Sequence, residues 1–168
     1  MNKTLNVTLG ATALIAALTA CSSTSASDTD GNAGPTTKPI TASTAFTQIS
    51  GKVTAATLSG TVTADNDPNH LLGRPNQYTS KVTFTDSRIK ASDVEGTEKG
   101  DVERGGAIEA FANAEDAKAR AEYIQSVTKS MPALAEYDYV HGNVLVRVSH
   151  YLPPAQAAEY KTATNELG

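Results

Sequence analysis

The fold is decided by residues 106–149, whose sequence is GAIEAFANAEDAKARAEYIQSVTKSMPALAEYDYVHGNVLVRVS. A short apolar run at 106–112 predicts a strand, and Asn113 belongs to the residue types that cap helices. Apolar residues then recur at helical spacing, which predicts a helix over 114–130. Residues 136–149 alternate in polarity around a His-Gly-Asn turn, which predicts a β-hairpin. A strand, a helix and a hairpin in this order favour an antiparallel sheet with a helix packed on it.

The register of the hairpin depends on its turn. If residues 142–143 form the turn, Asp138 faces Arg147 across the two strands. In either possible register, Tyr137 and Tyr139 lie on the same face as the valines of the second strand, because side chains alternate along a strand.

The flanking segments extend this unit at both ends. Residues 78–86 alternate apolar and polar side chains, which predicts a half-buried strand. Pro153 and Pro154 predict the start of a last helix that continues to about Leu167. The element order β-β-α-β-β-α predicts an α+β, two-layer domain over residues 66–168. We expect a mainly antiparallel, four-stranded sheet with two helices on one face.

The first twenty residues have the pattern of a secretory leader. Lys3 is followed by an apolar run that is too short to span a hydrocarbon layer about 30 Å thick. The leader ends in Leu18-Thr19-Ala20-Cys21, which resembles the lipobox of bacterial lipoproteins. The resemblance implies cleavage before Cys21, acylation of its thiol by chains such as palmitate, and a position on the extracytoplasmic face of the cell membrane. Cys21 is the only cysteine, so it has no partner for an internal disulfide.

Between the leader and the domain, residues 21–65 are rich in Ser, Thr, Ala, Gly and Asp. This composition is typical of a flexible, disordered tether. Weak alternation over residues 53–63 leaves open an isolated edge strand. The sequence therefore predicts a signal peptide at 1–20, a lipid-anchored tether at 21–65 and a folded domain at 66–168.

The charge balance and the motif content exclude several classes of function. The chain has 14 basic and 18 acidic residues, whereas a nucleic-acid binder needs a basic face. His70, His141 and His150 do not have the spacing of a zinc site, and the acidic loop at 93–103 lacks the order of an EF-hand. The chain also lacks the G-x-S-x-G motif of hydrolases and the glycine patterns of nucleotide-binding loops. We therefore expect no catalytic residues, no metal and no cofactor.

The segment after the tether contains the best candidate for a binding surface. Leu71, Arg74, Tyr78 and Lys81 combine the apolar, aromatic and basic side chains that dominate recognition hot spots. In the alternative interpretation, Leu71 and Leu72 only cover the core and Arg74 pairs with a nearby acid.

One helical turn is predicted just before this candidate surface. Asp67 is a good N-cap, Pro68 suits the first helical position, and Gly73 suits the position after a helix.

Three segments of the domain are similar to a group of small uncharacterised lipoproteins of actinobacteria and their phages. They are Asp67–Pro75, Tyr78–Lys81 and Gly142–Val148. The resemblance implies a location and no chemistry. The resulting hypothesis is a non-enzymatic, membrane-anchored lipoprotein whose domain binds an envelope or phage protein. The alternatives are a small-ligand carrier, a small hydrolase, or a phage-encoded superinfection exclusion lipoprotein.

Overall fold

The computed structural model describes residues 39–168, so the predicted leader, Cys21 and the first part of the predicted tether lie outside the described residues. The described chain forms three α-helices and five β-strands. In chain order they are α1 (Ala42–Ser50), β1 (Ala56–Thr61), β2 (Ser80–Asp86), β3 (Gly105–Ala110), α2 (Ala114–Thr128), β4 (Glu136–His141), β5 (Val144–Ser149) and α3 (Pro154–Asn165). None of these helices is both long enough and apolar enough to span a membrane.

The strands form one antiparallel sheet with the order β1-β2-β3-β5-β4. The predicted α+β class and antiparallel pairing are confirmed. The predicted counts of four strands and two helices are wrong, because α1 and β1 lie in residues that the sequence analysis assigned to the tether.

Helix α1 forms from a polar-looking sequence because its few apolar residues share one side. Thr41 caps the helix, its Oγ1 accepting the backbone N–H of Thr44 at 3.2 Å. Four residues at helical spacing are buried, namely Ala42, Ala45, Phe46 and Ile49. Strand β1 pairs with β2 at the sheet edge and contains a bulge between Leu58 and Gly60, so the edge-strand alternative for residues 53–63 is confirmed.

The helices cover both faces of the sheet. Helices α1 and α3 pack on the face that carries Val82, Phe84 and Val146. Helix α2 packs on the opposite face, against Phe111 and Leu145. The expected placement of two helices on one face of a two-layer domain is therefore wrong. Side chains alternate along β5, so its valines point to the face covered by α1 and α3, whereas Leu145 and Arg147 point to the face covered by α2.

The local elements agree with the sequence patterns. Asn113 caps α2 by accepting the backbone N–H of Asp116 at 2.9 Å. The hairpin turns at Gly142-Asn143, and Asp138 pairs with Arg147 as that turn requires. Pro154 is the first residue of α3.

Candidate binding groove

The segment between β1 and β2 is organised around the buried carboxylate of Asp67. Its Oδ2 accepts the backbone N–H groups of Leu71 and Leu72 at 2.8 and 2.9 Å. The hydroxyl of Tyr78 lies 2.7 Å from both carboxylate oxygens and donates to them. The predicted helical turn does not form, and the segment is a series of turns instead. As predicted, the side chain of Asp67 accepts backbone N–H groups, but these groups belong to a loop and not to the first turn of a helix.

The Asp67–Tyr78 pair keeps one charge state over a wide pH range. Burial opposes ionisation of Asp67, but hydrogen bonds from Tyr78 and from the backbone of Leu72 and Leu71 lower its pKa to about 2. Burial, followed by the hydrogen bond to Asp67, raises the pKa of Tyr78. A neutral phenol and a carboxylate therefore fix the loop at physiological pH.

The four residues predicted to bind a partner do not share one surface. Arg74 is exposed and Leu71 is half-buried, but Tyr78 is 0% and Lys81 6% exposed. The hydroxyl of Tyr78 is hydrogen-bonded to Asp67, and Lys81 forms an ion pair with Glu109, so both polar groups already have partners within the domain.

The alternative interpretation of this segment is correct for the two leucines and wrong for Arg74. Leu71 and Leu72 pack against the core under α2, as it proposed. Among residues 39–168, however, Arg74 forms no ion pair.

A buried acid, Glu109, is the centre of a charged cluster on the α2 face of the sheet. Glu109 is 0% exposed. Its carboxylate lies 3.1 Å from Lys81 Nζ, 3.1 Å from Arg120 Nε and 3.2 Å from Arg147 Nη1. Burial favours the neutral acid, but the three cations reverse this effect and lower the pKa of Glu109. A buried carboxylate held by several cations is a stable arrangement only while all partners are present.

The cluster continues across β5 to the acids of β4. Arg147 donates from Nε and Nη2 to the carboxylate of Glu136 at 2.7 and 2.9 Å. Both carboxylate oxygens of Asp138 are buried, and neither has a hydrogen-bond partner in the described chain. Burial and the charge of Glu136 raise the pKa of Asp138 to about 8. At neutral pH Asp138 is therefore mostly protonated, and three cations face only two carboxylates.

An open groove lies between the loop of residues 67–77 and helix α2. Its volume is about 470 Å³. One wall is formed by Leu71, Asn76 and Gln77, and the other by Asp116, Ala119, Arg120 and Tyr123. A second recess of about 370 Å³ shares Leu71, Arg120 and Tyr123 with the groove and extends to Arg147. Tyr123 is largely exposed to solvent, with 61% of its surface accessible.

Arg120 joins the groove to the buried cluster. Its Nε donates to Glu109, and its guanidinium carbon lies 5.7 Å from the centre of the Tyr123 ring. Within residues 39–168, its Nη1 and Nη2 groups make no hydrogen bond. The structure turns Arg120 towards the sheet, because the buried Glu109 needs a cation.

The histidines and acids that could have held a metal are dispersed. His150 Nδ1 lies 2.7 Å from the carbonyl oxygen of Ala135, His141 ends β4, and His70 is exposed. Over residues 39–168, no three side chains of His, Cys, Asp or Glu come together in a group that could hold a metal ion.

Most residues of the groove and of the charged cluster were not predicted from the sequence. Glu109, Arg120 and Tyr123 belong to no motif, and Arg147 was identified only by its strand register. One signal was present, namely an acid in the middle of a strand otherwise composed of small and apolar residues. Burial of such an acid requires cations from elsewhere in the chain.

Comparison with protein-family models, with curated proteins and with solved structures finds no match to this chain. The geometry of the groove is therefore the basis for assigning a function.

Proposed function

We propose that this protein is a lipid-anchored, extracytoplasmic lipoprotein whose folded domain binds a partner protein of the cell envelope or of a phage. The observation that supports a binding role is the groove between α2 and the loop of residues 67–77. It combines an exposed tyrosine and an arginine, two residue types that are enriched in binding hot spots, with a half-buried leucine beside them. The binding surface is thus displaced from the Leu71–Lys81 segment to the groove that Leu71 lines.

The proposed anchor depends on the N-terminal sequence. The lipobox-like Leu18-Thr19-Ala20-Cys21 follows the apolar run directly. Two or more acyl chains on one residue give stable membrane attachment, whereas one chain does not. The partner would then be met close to the membrane surface.

The rigid support beneath the groove favours a binding role. Asp67 fixes the loop wall through three backbone hydrogen bonds and the hydroxyl of Tyr78, and Glu109 fixes Arg120. Residues held before association lose less conformational freedom on binding, so such a surface contributes more of its contact energy to affinity.

Site-specific photo-crosslinking in the producing cells tests the binding site. A photoreactive phenylalanine analogue replaces Tyr123, and a second strain carries it at Tyr151, which is 41% exposed and does not line the groove. We expect a discrete crosslinked protein from position 123 and none from position 151. Equal capture from both positions, or no capture at 123, would contradict the proposed binding surface.

Fractionation tests the anchor separately. We expect the unaltered protein in the membrane fraction and the Cys21→Ala form outside it, because the substitution removes the thiol that accepts the lipid. Retention of Cys21→Ala protein in the membrane fraction, resistant to salt washing, would contradict the anchor and leave the groove unaffected.

A further inference from the structure

We infer that the groove binds a peptide segment of the partner through a carboxylate group of that segment, which pairs with the guanidinium of Arg120. This inference rests on the proposed binding function and specifies the chemistry of the partner. The carboxylate is either an acidic side chain or a free C terminus, and the test below distinguishes these sources.

Two contacts fix the orientation of Arg120. Glu109 holds Nε from below at 3.1 Å, and the Tyr123 ring lies against the guanidinium at 5.7 Å. The side chain of Arg120 is only 12% exposed, so its position is set before a ligand arrives. Its Nη groups remain without hydrogen bonds to the described chain and line the groove. The edge formed by Nη1 and Nη2 is therefore unused, and it matches a carboxylate in a bidentate geometry.

The charges around Arg120 favour an anionic ligand. Glu109 is shared among Lys81, Arg120 and Arg147, so it neutralises Arg120 only in part. Glu136 is engaged by Arg147, and Asp138 is mostly protonated at neutral pH. Within the cluster Arg120 is therefore only partly neutralised, and a ligand carboxylate at its Nη groups would complete its pairing.

The rest of the groove favours a peptide over a small anion. Asp116 lies one turn before Arg120 and contributes a negative charge to the same wall, where its Oδ2 accepts the Nδ2–H of Asn113 at 2.9 Å. An anion alone would be repelled there, whereas a peptide can direct a backbone N–H towards Asp116 and its carboxylate towards Arg120. Asn76 and Gln77 offer further donors and acceptors on the opposite wall. A short peptide segment therefore fits the groove better than an inorganic anion.

Selection from a library of random short peptides with free C termini tests the inference, with the purified full chain as the target. The best binders are synthesised in four forms, with acidic or amide side chains and with free or amidated C termini. We expect one of the two replacements to weaken binding by about tenfold or more, and this replacement identifies the source of the carboxylate.

Variants of the chain locate the contact. Arg120→Gln is expected to weaken the peptide that carries the identified carboxylate about tenfold and to leave the form without that carboxylate unchanged, which is the pattern of a direct pair in a double-mutant cycle. Gln77→Glu places a carboxylate on the opposite wall and is expected to weaken the same peptide, even if Arg120→Gln perturbs the fold. Lys118→Gln is the matched control, because Lys118 is an exposed cation on α2 that does not line the groove.

Equal affinity of all four forms of the peptide would overturn the inference, while peptide binding blocked by Tyr123→Ala would preserve the proposed function. A peptide with the identified carboxylate that binds Arg120→Gln and Gln77→Glu as tightly as the unaltered chain would also overturn it. Failure to select any peptide would overturn it too, and photo-crosslinking at Tyr123 would then decide the proposed function on its own.

Discussion

Asp138 is an acid held in its neutral form by its surroundings. Its oxygens are buried without hydrogen-bond partners in the described chain, and its pKa is raised to about 8. In the unfolded chain an aspartate has a pKa of about 3.9. Between these two values the unfolded state releases a proton that the folded state retains. The free energy of unfolding therefore falls as pH rises from about 4 to 8, and above pH 8 this effect is constant.

Asp138→Asn removes this dependence because the amide does not titrate. We expect the variant to be more stable than the unaltered chain by more than about 1 kcal/mol at pH 8, and the difference to shrink towards pH 4. Urea denaturation at several pH values measures it. The control is Asp93→Asn, at an exposed position in the loop. The same pH slope in Asp138→Asn and in the unaltered chain would show that Asp138 titrates normally.

At the scale of elements, β3 is the central strand and is buried on both faces. All six of its residues, Gly105–Ala110, are buried. Small residues predominate because the neighbouring strands and their side chains approach closely. A Cβ atom at Gly106 would overlap the carbonyl oxygen of Arg147 and the ring of Phe84. Glu109 is the exception in this strand, and its charge is the reason that Lys81, Arg120 and Arg147 converge.

Gly106→Ala is expected to destabilise the fold by about 3 kcal/mol, the upper part of the usual range for overpacking a core. Gly60→Ala in β1 is the matched control, because its Cβ would lie 3.4 Å from Thr83 Oγ1 and meet no backbone atom. We expect that control to change stability by less than about 1 kcal/mol. Urea denaturation compares the two, and a similar cost for both would contradict the close packing around β3.

At the scale of the molecule, α1 and β1 belong to the folded body. Helix α1 contacts β2, β3 and α3, and Asn143 in the hairpin turn donates to the carbonyl oxygen of Ile40 at 2.9 Å. Phe46 packs on Phe84, which in turn stacks on Tyr160 of α3, with ring centres 6.0 and 5.4 Å apart. Residues 39–65 therefore complete the core on the α1–α3 face.

Two truncated chains test this boundary. A chain that starts at Pro39 is expected to unfold cooperatively, whereas one that starts at Asn66 is expected not to fold. Each large side chain lost from the core costs about 1.5–3 kcal/mol, and the loss of α1 and β1 approaches the total stability of about 5–15 kcal/mol for a domain. Thermal melting followed by circular dichroism compares them. Equal melting temperatures would place residues 39–65 outside the cooperative unit.

The sequence by itself determined the elements whose signals are local. Period-two alternation predicted β2 and the β4–β5 hairpin, and caps and spacing predicted α2 and α3. The register of the hairpin stayed open in the sequence, because it depends on which residues form the turn, and the structure places that turn at Gly142-Asn143. These patterns depend on neighbours a few residues apart, so they can be recognised without the fold. The lipobox at Cys21 is likewise local, and it remains a prediction because it lies outside the described residues.

Only the tertiary structure decided which face each helix covers, that α1 and β1 join the sheet, and where the groove lies. Burial depends on the element that happens to cover a side chain, so Tyr78 and Lys81 have the composition of a hot spot but lie inside. The partners of Glu109 come from three separate elements, and such long-range ion pairs leave no periodic trace. Arg120 faces the sheet rather than solvent because a buried charge must be compensated wherever the chain can supply a cation.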